Sequence, residues 1–261
     1  MFDYHMHSRV SFDSKEDPMN IIRAAEEKGL KEICFTDHRD YFVNVDKQTW
    51  LFDQQVYSDN YDHLTHPTIK IRRGMEFGLK PYNAEQLAAD AKERDYDFIL
   101  GSVHFVKEVD VYDPSYWQTV TVPEAEVAYL EETLKCVQHH DGYDVLGHLT
   151  YLSKCRGHHT HKPIDLNQYR DIVEEIFKTI IAKGKGIEVN TSGMDRCGDY
   201  LPGMDYVRLY KELGGEIITI GSDAHTAERV GQYSHEVAAL LKDIMGHVCT
   251  FEGRKPIFHK L

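Results

Sequence analysis

Imidazoles and carboxylates recur along this chain at intervals that suggest metal chemistry. Residues 2–14 read FDYHMHSRVSFDS, with His5 and His7 one residue apart and Asp13 six residues further on. Side chains of a strand alternate with period two, so an extended segment turns His5 and His7 to the same face and aims two imidazoles at one point. The same residue types return as His38, Glu76, His104, His148, Asp223 and His225. Imidazoles and carboxylates with no thiolate among them suit zinc, manganese or ferrous iron better than copper(I) or an iron–sulfur cluster. Together these donors exceed the needs of one ion. Two or three ions are therefore expected, with a carboxylate bridging at least two.

Any one of these histidines, taken alone, reads more simply as a hydrogen-bonded polar residue. The set does not. Burying so many titratable groups side by side without a cation leaves unpaired charge and unsatisfied donors, each of them costly. The other histidines need no such account: His139 and His140 fall at a helix C-terminus, where the dipole favours them, and His63, His66, His235, His247 and His259 read as ordinary polar positions.

The elements that must position these donors alternate between strand and helix. Strands are expected at 2–5, 31–37, 69–77, 97–104, 143–149, 186–190 and 216–223. Helices are expected at 17–29, 83–95, 123–140, 166–184, 204–215 and 234–246, and a closing hairpin near Glu252-Gly253. In the first helix Asp17 supplies an N-cap, Pro18 the first helical position and Gly29 the stop. Strands separated by helices or long loops build parallel βαβ units, hence a barrel or a doubly wound sheet. Nearly every predicted strand ends in one of the donors, and the carboxyl ends of parallel strands meet on one face, where sites in such folds are built. No linker or internal repeat divides the chain, so residues 1–261 read as one domain.

Of the 261 residues, 41% are hydrophobic and 28% charged, enough for a sizeable core. The five cysteines, Cys34, Cys136, Cys155, Cys197 and Cys249, are odd in number, scattered, and never in a C-x-x-C arrangement. They read as reduced thiols. A formal net charge of -13 opposes bulk binding to nucleic acid or anionic membranes. No apolar run approaches the ~20 residues that span a bilayer, and the start lacks the build of a signal peptide. A cytoplasmic location is the expectation, and composition sets no oligomeric state.

H-x-H with Asp13 after it, TDH at 36–38, GMEF around Glu76, GSVH ending at His104, GH at 147–148 and GSDAH at 221–225 together resemble the motifs of the polymerase-and-histidinol-phosphatase (PHP) superfamily. The likeness spans nearly the whole chain. Single-domain length, with EICFTDH, LGSVHF, DVLGHLTY and EVNTSG, is similar to its histidinol-phosphate phosphatase branch. The resemblance implies an α/β fold, a distorted seven-stranded (β/α)7, TIM-barrel-like barrel with three divalent ions at the carboxyl ends of the strands. Carried over, His5, His7, Glu76 and Asp223 hold the first ion; Glu76, His104 and His148 the second; Asp13, His38 and His225 the third, with Glu76 as the catalytic bridge. It further implies a phosphomonoesterase that hydrolyses L-histidinol phosphate in histidine biosynthesis, a metal-bridging hydroxide attacking phosphorus. A related phosphatase or phosphodiesterase acting on nucleotides or sugar phosphates is the alternative. An amidohydrolase-type barrel also starts with H-x-H, but here Glu76 stands where such barrels carry a bridging lysine.

Arg156 and Arg196 follow predicted strand ends and so reach toward the mouth, and a guanidinium fork suits phosphate. The resemblance implies that arginines in these loops contact the phosphate. The leaving alkoxide takes its proton from a metal-bound water or from an acid such as Asp37, which reads equally as a partner orienting a ligand imidazole. The aromatic stretch 41–57 forms either a lid over the site or a helix on the barrel flank. GHHTH at 157–161 reads as an exposed loop or pocket lining more readily than as a metal site.

Overall fold

A computed structural model of the protein describes residues 1–41, 50–155 and 162–261. In chain order the strands are β1 (Phe2–Asp3), β2 (Glu32–Phe35), β3 (His38–Arg39), β4 (Lys70–Gly78), β5 (Phe98–Ser102), β6 (Phe105–Val106), β7 (Val109–Asp110), β8 (Val145–Leu146), β9 (Gly186–Asn190), β10 (Ile218–Gly221), β11 (His247–Glu252) and β12 (Lys255–Lys260). The α-helices are α1 (Pro18–Glu27), α2 (Gln54–Tyr61), α3 (Ala84–Asp90), α4 (Val122–His139), α5 (Leu166–Ala182), α6 (Met194–Cys197), α7 (Met204–Glu212) and α8 (Ser234–Ile244).

Seven strands pair in parallel in the order β1-β2-β4-β5-β8-β9-β10, and β3 adds to β4 with His38 opposite Glu76. The two ends of this order meet: Tyr4 N–H donates to Ile220 O at 2.9 Å, and Met6 pairs in parallel with Ala224. The result is the seven-stranded barrel that the alternating pattern and the resemblance lead one to expect. Strands β2, β5, β9 and β10 are buried at every position, as parallel strands covered on both faces must be.

Local signals explain the surrounding helices. Asp17 accepts the Met19 N–H to open α1 and Gly29, at φ 70°, follows its end. At α4, Glu124 accepts from both the backbone N–H and the hydroxyl of Thr121 (2.8 and 2.6 Å).

The β11–β12 hairpin closes the end of the barrel away from the strand carboxyl termini. Phe251 packs with Tyr4 and Phe98, while Arg72 joins Glu32 at 2.8 Å to Glu252 at 2.7 Å. The carboxyl-terminal end is left as the mouth.

Several elements differ from expectation. Strands β1 and β8 are only two residues long, because the chain leaves the ladder early to carry His5, His7 and His148 into the mouth. Helix α3 stops at Asp90, whose carboxylate is taken by Arg39 (2.7 and 2.9 Å) while the next residues turn tightly. The β6–β7 hairpin was not anticipated.

Candidate metal centre

The segment after β1 stays extended past the end of the ladder, since His7 N–H donates to Ala224 O at 2.8 Å and Asp223 N–H donates to His5 O at 2.8 Å. Period two therefore holds. His5 and His7 turn to the same side, both fully buried, with their Nε2 atoms 3.1 Å apart.

Glu76, near the end of β4, is the hub. Its Oε2 lies 3.1 Å from His5 Nε2, 3.4 Å from His7 Nε2 and 3.3 Å from His38 Nδ1. Its Oε1 lies 2.9 Å from His148 Nε2 and 3.3 Å from His104 Nε2. Asp223 Oδ1 stands 3.4 Å from His7 Nε2 and 3.7 Å from His5 Nε2, its backbone held at φ 54° by the turn after β10. Asp13 Oδ2 lies 2.7 Å from His225 Nε2 and 3.4 Å from His38 Nε2. The His7 ring stacks on both His38 and His225, at 4.5 and 4.3 Å between centroids.

The fold thus gathers every donor singled out from sequence. Four overlapping groups have ligand atoms within 4.8 Å of one another: His5–His7–Asp223; His5–Glu76–His148; His7–Asp13–His38–His225; and His38–Asp40–His104. His7 stands in two of them, whereas the resemblance gave it to one.

A row of partners behind these donors escaped the sequence reading. Glu188 Oε1 lies 2.7 Å from His5 Nδ1, and its Oε2 accepts the His148 N–H at 2.8 Å. Asp40 faces His38 Nδ1 at 3.0 Å and His104 Nδ1 at 2.9 Å. Bonds of this kind fix a ligand ring's orientation and tautomer. Glycines make the room: a Cβ on Gly221 would come within 2.0 Å of Glu188 Oε1, and one on Gly78 within 1.9 Å of Asp40 Oδ1. The available signals were a carboxylate in the apolar strand GIEVN and a second acid in TDHRD.

Burial opposes charge on all these groups, and the net shifts show which neighbours prevail. Although buried, His5 is held well above the usual imidazole value by Glu76, Glu188 and Asp223. Against the same penalty Asp40 and Glu76 hold His104 at about 9. Burial, then His225 and His38, drive His7 down to about 3. Glu76 and Asp223 lie well below the carboxylate range despite burial, through His5 and His38 for the first and Lys154 and His5 for the second. The carboxylates thus draw positive charge inward, using imidazole protons and the Lys154 ammonium, which contacts Asp223 and lies 2.8 Å from Ser192 Oγ. Divalent cations would supply that charge and leave the imidazoles neutral as ligands. The donor set fits zinc, manganese or ferrous iron.

Above this floor lies a cavity of about 560 Å³. Lys154, Arg196 and Arg229 line it, with Trp50 stacked on Phe12 at 4.3 Å at its edge. Arg196, on the short α6, is where the sequence reading put it, while Lys154 and Arg229 were missed. Arg156 and GHHTH at 157–161 lie outside the described residues. So do residues 42–49 of the aromatic stretch; of the rest, Trp50 borders the cavity, while the start of α2 buries Tyr57 in the core.

Asp37 is not among the residues lining the cavity. Among the described residues its carboxylate accepts from Ser8 N–H at 2.8 Å and from the Tyr61 hydroxyl, and burial pushes it up to about 7. It anchors the backbone beside His7. His140 is likewise accounted for, with Nε2 on Lys80 O at 2.7 Å.

A model of the PHP domain family matches residues 3–192. A histidinol-phosphatase of Lactococcus lactis subsp. lactis is 34% identical over 257 residues, covering 97% of this chain and 95% of its own. A probable histidinol-phosphatase of Clostridium acetobutylicum is 31% identical, covering 88% and 89%. Among solved structures, the histidinol phosphate phosphatase of Lactococcus lactis complexed with zinc, L-histidinol and phosphate matches with a TM-score of 0.86 at 31% identity, over 98% of each chain. The putative histidinol phosphatase of Listeria monocytogenes shares the fold, with a TM-score of 0.74 at 17% identity, over 90% of this chain and 99% of its own.

Proposed function

The chain belongs to the PHP domain family, and from that premise we propose that it is a metal-dependent phosphomonoesterase hydrolysing L-histidinol phosphate to L-histidinol and inorganic phosphate, in histidine biosynthesis. One observation carries the reading: carboxylates and imidazoles converge on Glu76 at the floor of a cavity whose wall bears Lys154 and Arg196. Such a cavity is suited to holding an anion over cations.

In this reading three divalent ions, zinc, manganese or iron, are held as follows. His5, His7, Glu76 and Asp223 bind the first; Glu76, His104 and His148 the second; Asp13, His38 and His225 the third. Held there, divalent ions would supply Lewis acidity toward water and positive charge for the phosphoryl oxygens. Glu76 keeps two of the sites in register, because its two oxygens face different histidines. Glu188 and Asp40 fix the imidazole rings. Arg196 and Lys154 orient the phosphate so that the ester oxygen leaves in line with attack, and the resemblance gives Arg156 a share in that role. Water adds to phosphorus, the ester P–O bond breaks, and the alkoxide gains a proton.

The unit is taken as the whole of residues 1–261, since Asp223 and His225 come from beyond the part matched by the family model. No helix among the described residues is long and apolar enough to cross a membrane, which accords with a cytoplasmic enzyme.

The test is phosphate release by metal-loaded protein from L-histidinol phosphate, p-nitrophenyl phosphate, a nucleotide and a sugar phosphate. Marked preference for the first is expected. Preference for a nucleotide or sugar phosphate would move the chain to another activity of the family, and no release from any substrate would remove the proposal.

A further inference from the structure

Arg196 reaches the cavity from a short excursion of the chain. The backbone leaves the barrel at Asn190 and returns at Leu201, and these two residues exchange N–H···O bonds at 3.0 and 2.9 Å. Between them α6 has only four residues, too few to hold an orientation by its own hydrogen bonds. What holds it lies on the next loop.

Asp195, the residue before Arg196, takes its donors from the chain between β10 and α8. Its Oδ2 lies 2.8 Å from Arg229 Nη1 and accepts from Gln232 Nε2 at 3.2 Å, while its Oδ1 accepts the Tyr233 hydroxyl at 2.8 Å. Although burial opposes the charge, Tyr233 and Arg229 hold this carboxyl below its ordinary range. Nearer the root of the excursion, the Thr191 hydroxyl donates to Gln232 O at 2.7 Å. A lone surface ion pair fixes little, but three donors converging from one loop set both the place and the direction of the carboxylate.

That loop is itself fastened to the barrel. Gly231 N–H donates to Asp3 Oδ2 at 2.7 Å, and Lys28 Nζ donates to Val230 O at 2.7 Å. Its first residues include Asp223 and His225, both among the metal-donor groups. Asp195 is not one of the residues lining the cavity, whereas its neighbour Arg196 and its partner Arg229 are. The negative charge is thus met by Arg229 outside the cavity, and the Arg196 guanidinium is left facing in.

We infer that Asp195 is a positioning residue that sets Arg196 over the metal floor, its carboxylate tying the turn that carries the arginine to the loop that carries Asp223 and His225. The inference rests on the proposed function, in which Arg196 holds the phosphate, and deepens it. A guanidinium on a four-residue helix is useful only if its distance from the floor is fixed before the anion arrives, since small misplacements of a positioning group are costly. Asp195 supplies that reference without facing the anion.

Asp195→Ala, Arg196→Ala and the double variant test this as a cycle on metal-loaded protein. Two quantities are measured: kcat/KM on L-histidinol phosphate and p-nitrophenyl phosphate, and the Kd of inorganic phosphate by titration calorimetry. Asp195→Ala is expected to lower kcat/KM by about 5- to 20-fold on both substrates and to weaken phosphate binding by a similar factor, with metal content unchanged. With Arg196 already replaced, the same substitution should change every value by no more than about twofold. A loss that persists in that background would route the effect through Arg229 or the fold and overturn the inference, as would no loss in the single variant. If wild type does not hydrolyse L-histidinol phosphate, the proposed function fails separately. Inorganic phosphate then decides for Asp195 by the same comparison, and a wild type that does not bind phosphate overturns the inference as well.

Discussion

Glu188 accepts from two chain segments that each carry a metal-ligand candidate: its Oε1 lies 2.7 Å from His5 Nδ1 and its Oε2 2.8 Å from the backbone N–H of His148. Asn190 Nδ2 is a further donor to Oε2 at 3.2 Å. A carboxylate can face all three donors, whereas an amide must turn its NH2 toward at least one of them. Glu188→Gln is therefore expected to weaken metal binding by about 10- to 100-fold, as loss of an orienting partner does, while the barrel stays folded. Metal titration followed by circular dichroism checks both parts; undiminished affinity would mean that Glu188 does not orient His5.

Glu76 makes a sharper demand. Its two oxygens face different sets of imidazoles, so removing it should empty more than one position. Glu76→Ala is expected to retain at least two fewer ions per chain than wild type, measured by elemental analysis of protein dialysed free of loose metal. Loss of a single ion would show that the carboxylate does not bridge.

The donors other than Asp13 were legible because each has a local mark: a period-two pair after a strand, or a histidine or acid at the end of a short apolar run. Parallel strands then deliver those ends to one face whatever the loops do, so the architecture and the convergence come together. Asp40, Glu188 and Lys154 were not legible for a different reason. Their roles arise from pairings with no local pattern, such as Glu188 with His5 across the β9–β10 side of the barrel and Lys154 with Asp223. The partner of Asp37 was hidden for the same cause, since its neighbour in sequence is a ligand candidate but its partner in space is Tyr61. Strand lengths were overread at β1 and β8, where the chain stays extended without a ladder partner at each position.

Chelation should destabilise the fold measurably. Without cations, Asp13, Glu76 and Asp223 depend on imidazole protons and one lysine for countercharge, in a setting where burial penalises them all. A ligand that binds only the native state at 100 times its dissociation constant adds about 2.7 kcal/mol. For a chain of this length that corresponds to roughly 5–10 °C in melting temperature. Scanning calorimetry with and without chelator gives the comparison, and a melting temperature unchanged by chelation would count against resident metals.

Arg196 is exposed, on the cavity wall, and outside the groups of metal donors. Removing it should leave the fold and metal content as they are and weaken only the hold on phosphate. Arg196→Ala is expected to lower kcat/KM by about tenfold or more, with similar losses on L-histidinol phosphate and p-nitrophenyl phosphate because the phosphate is common to both. Arg196→Lys should recover only part of the loss, since a single ammonium does not reproduce two parallel N–H bonds. Loss in Arg196→Ala confined to L-histidinol phosphate would assign the guanidinium to the alcohol instead of the phosphate.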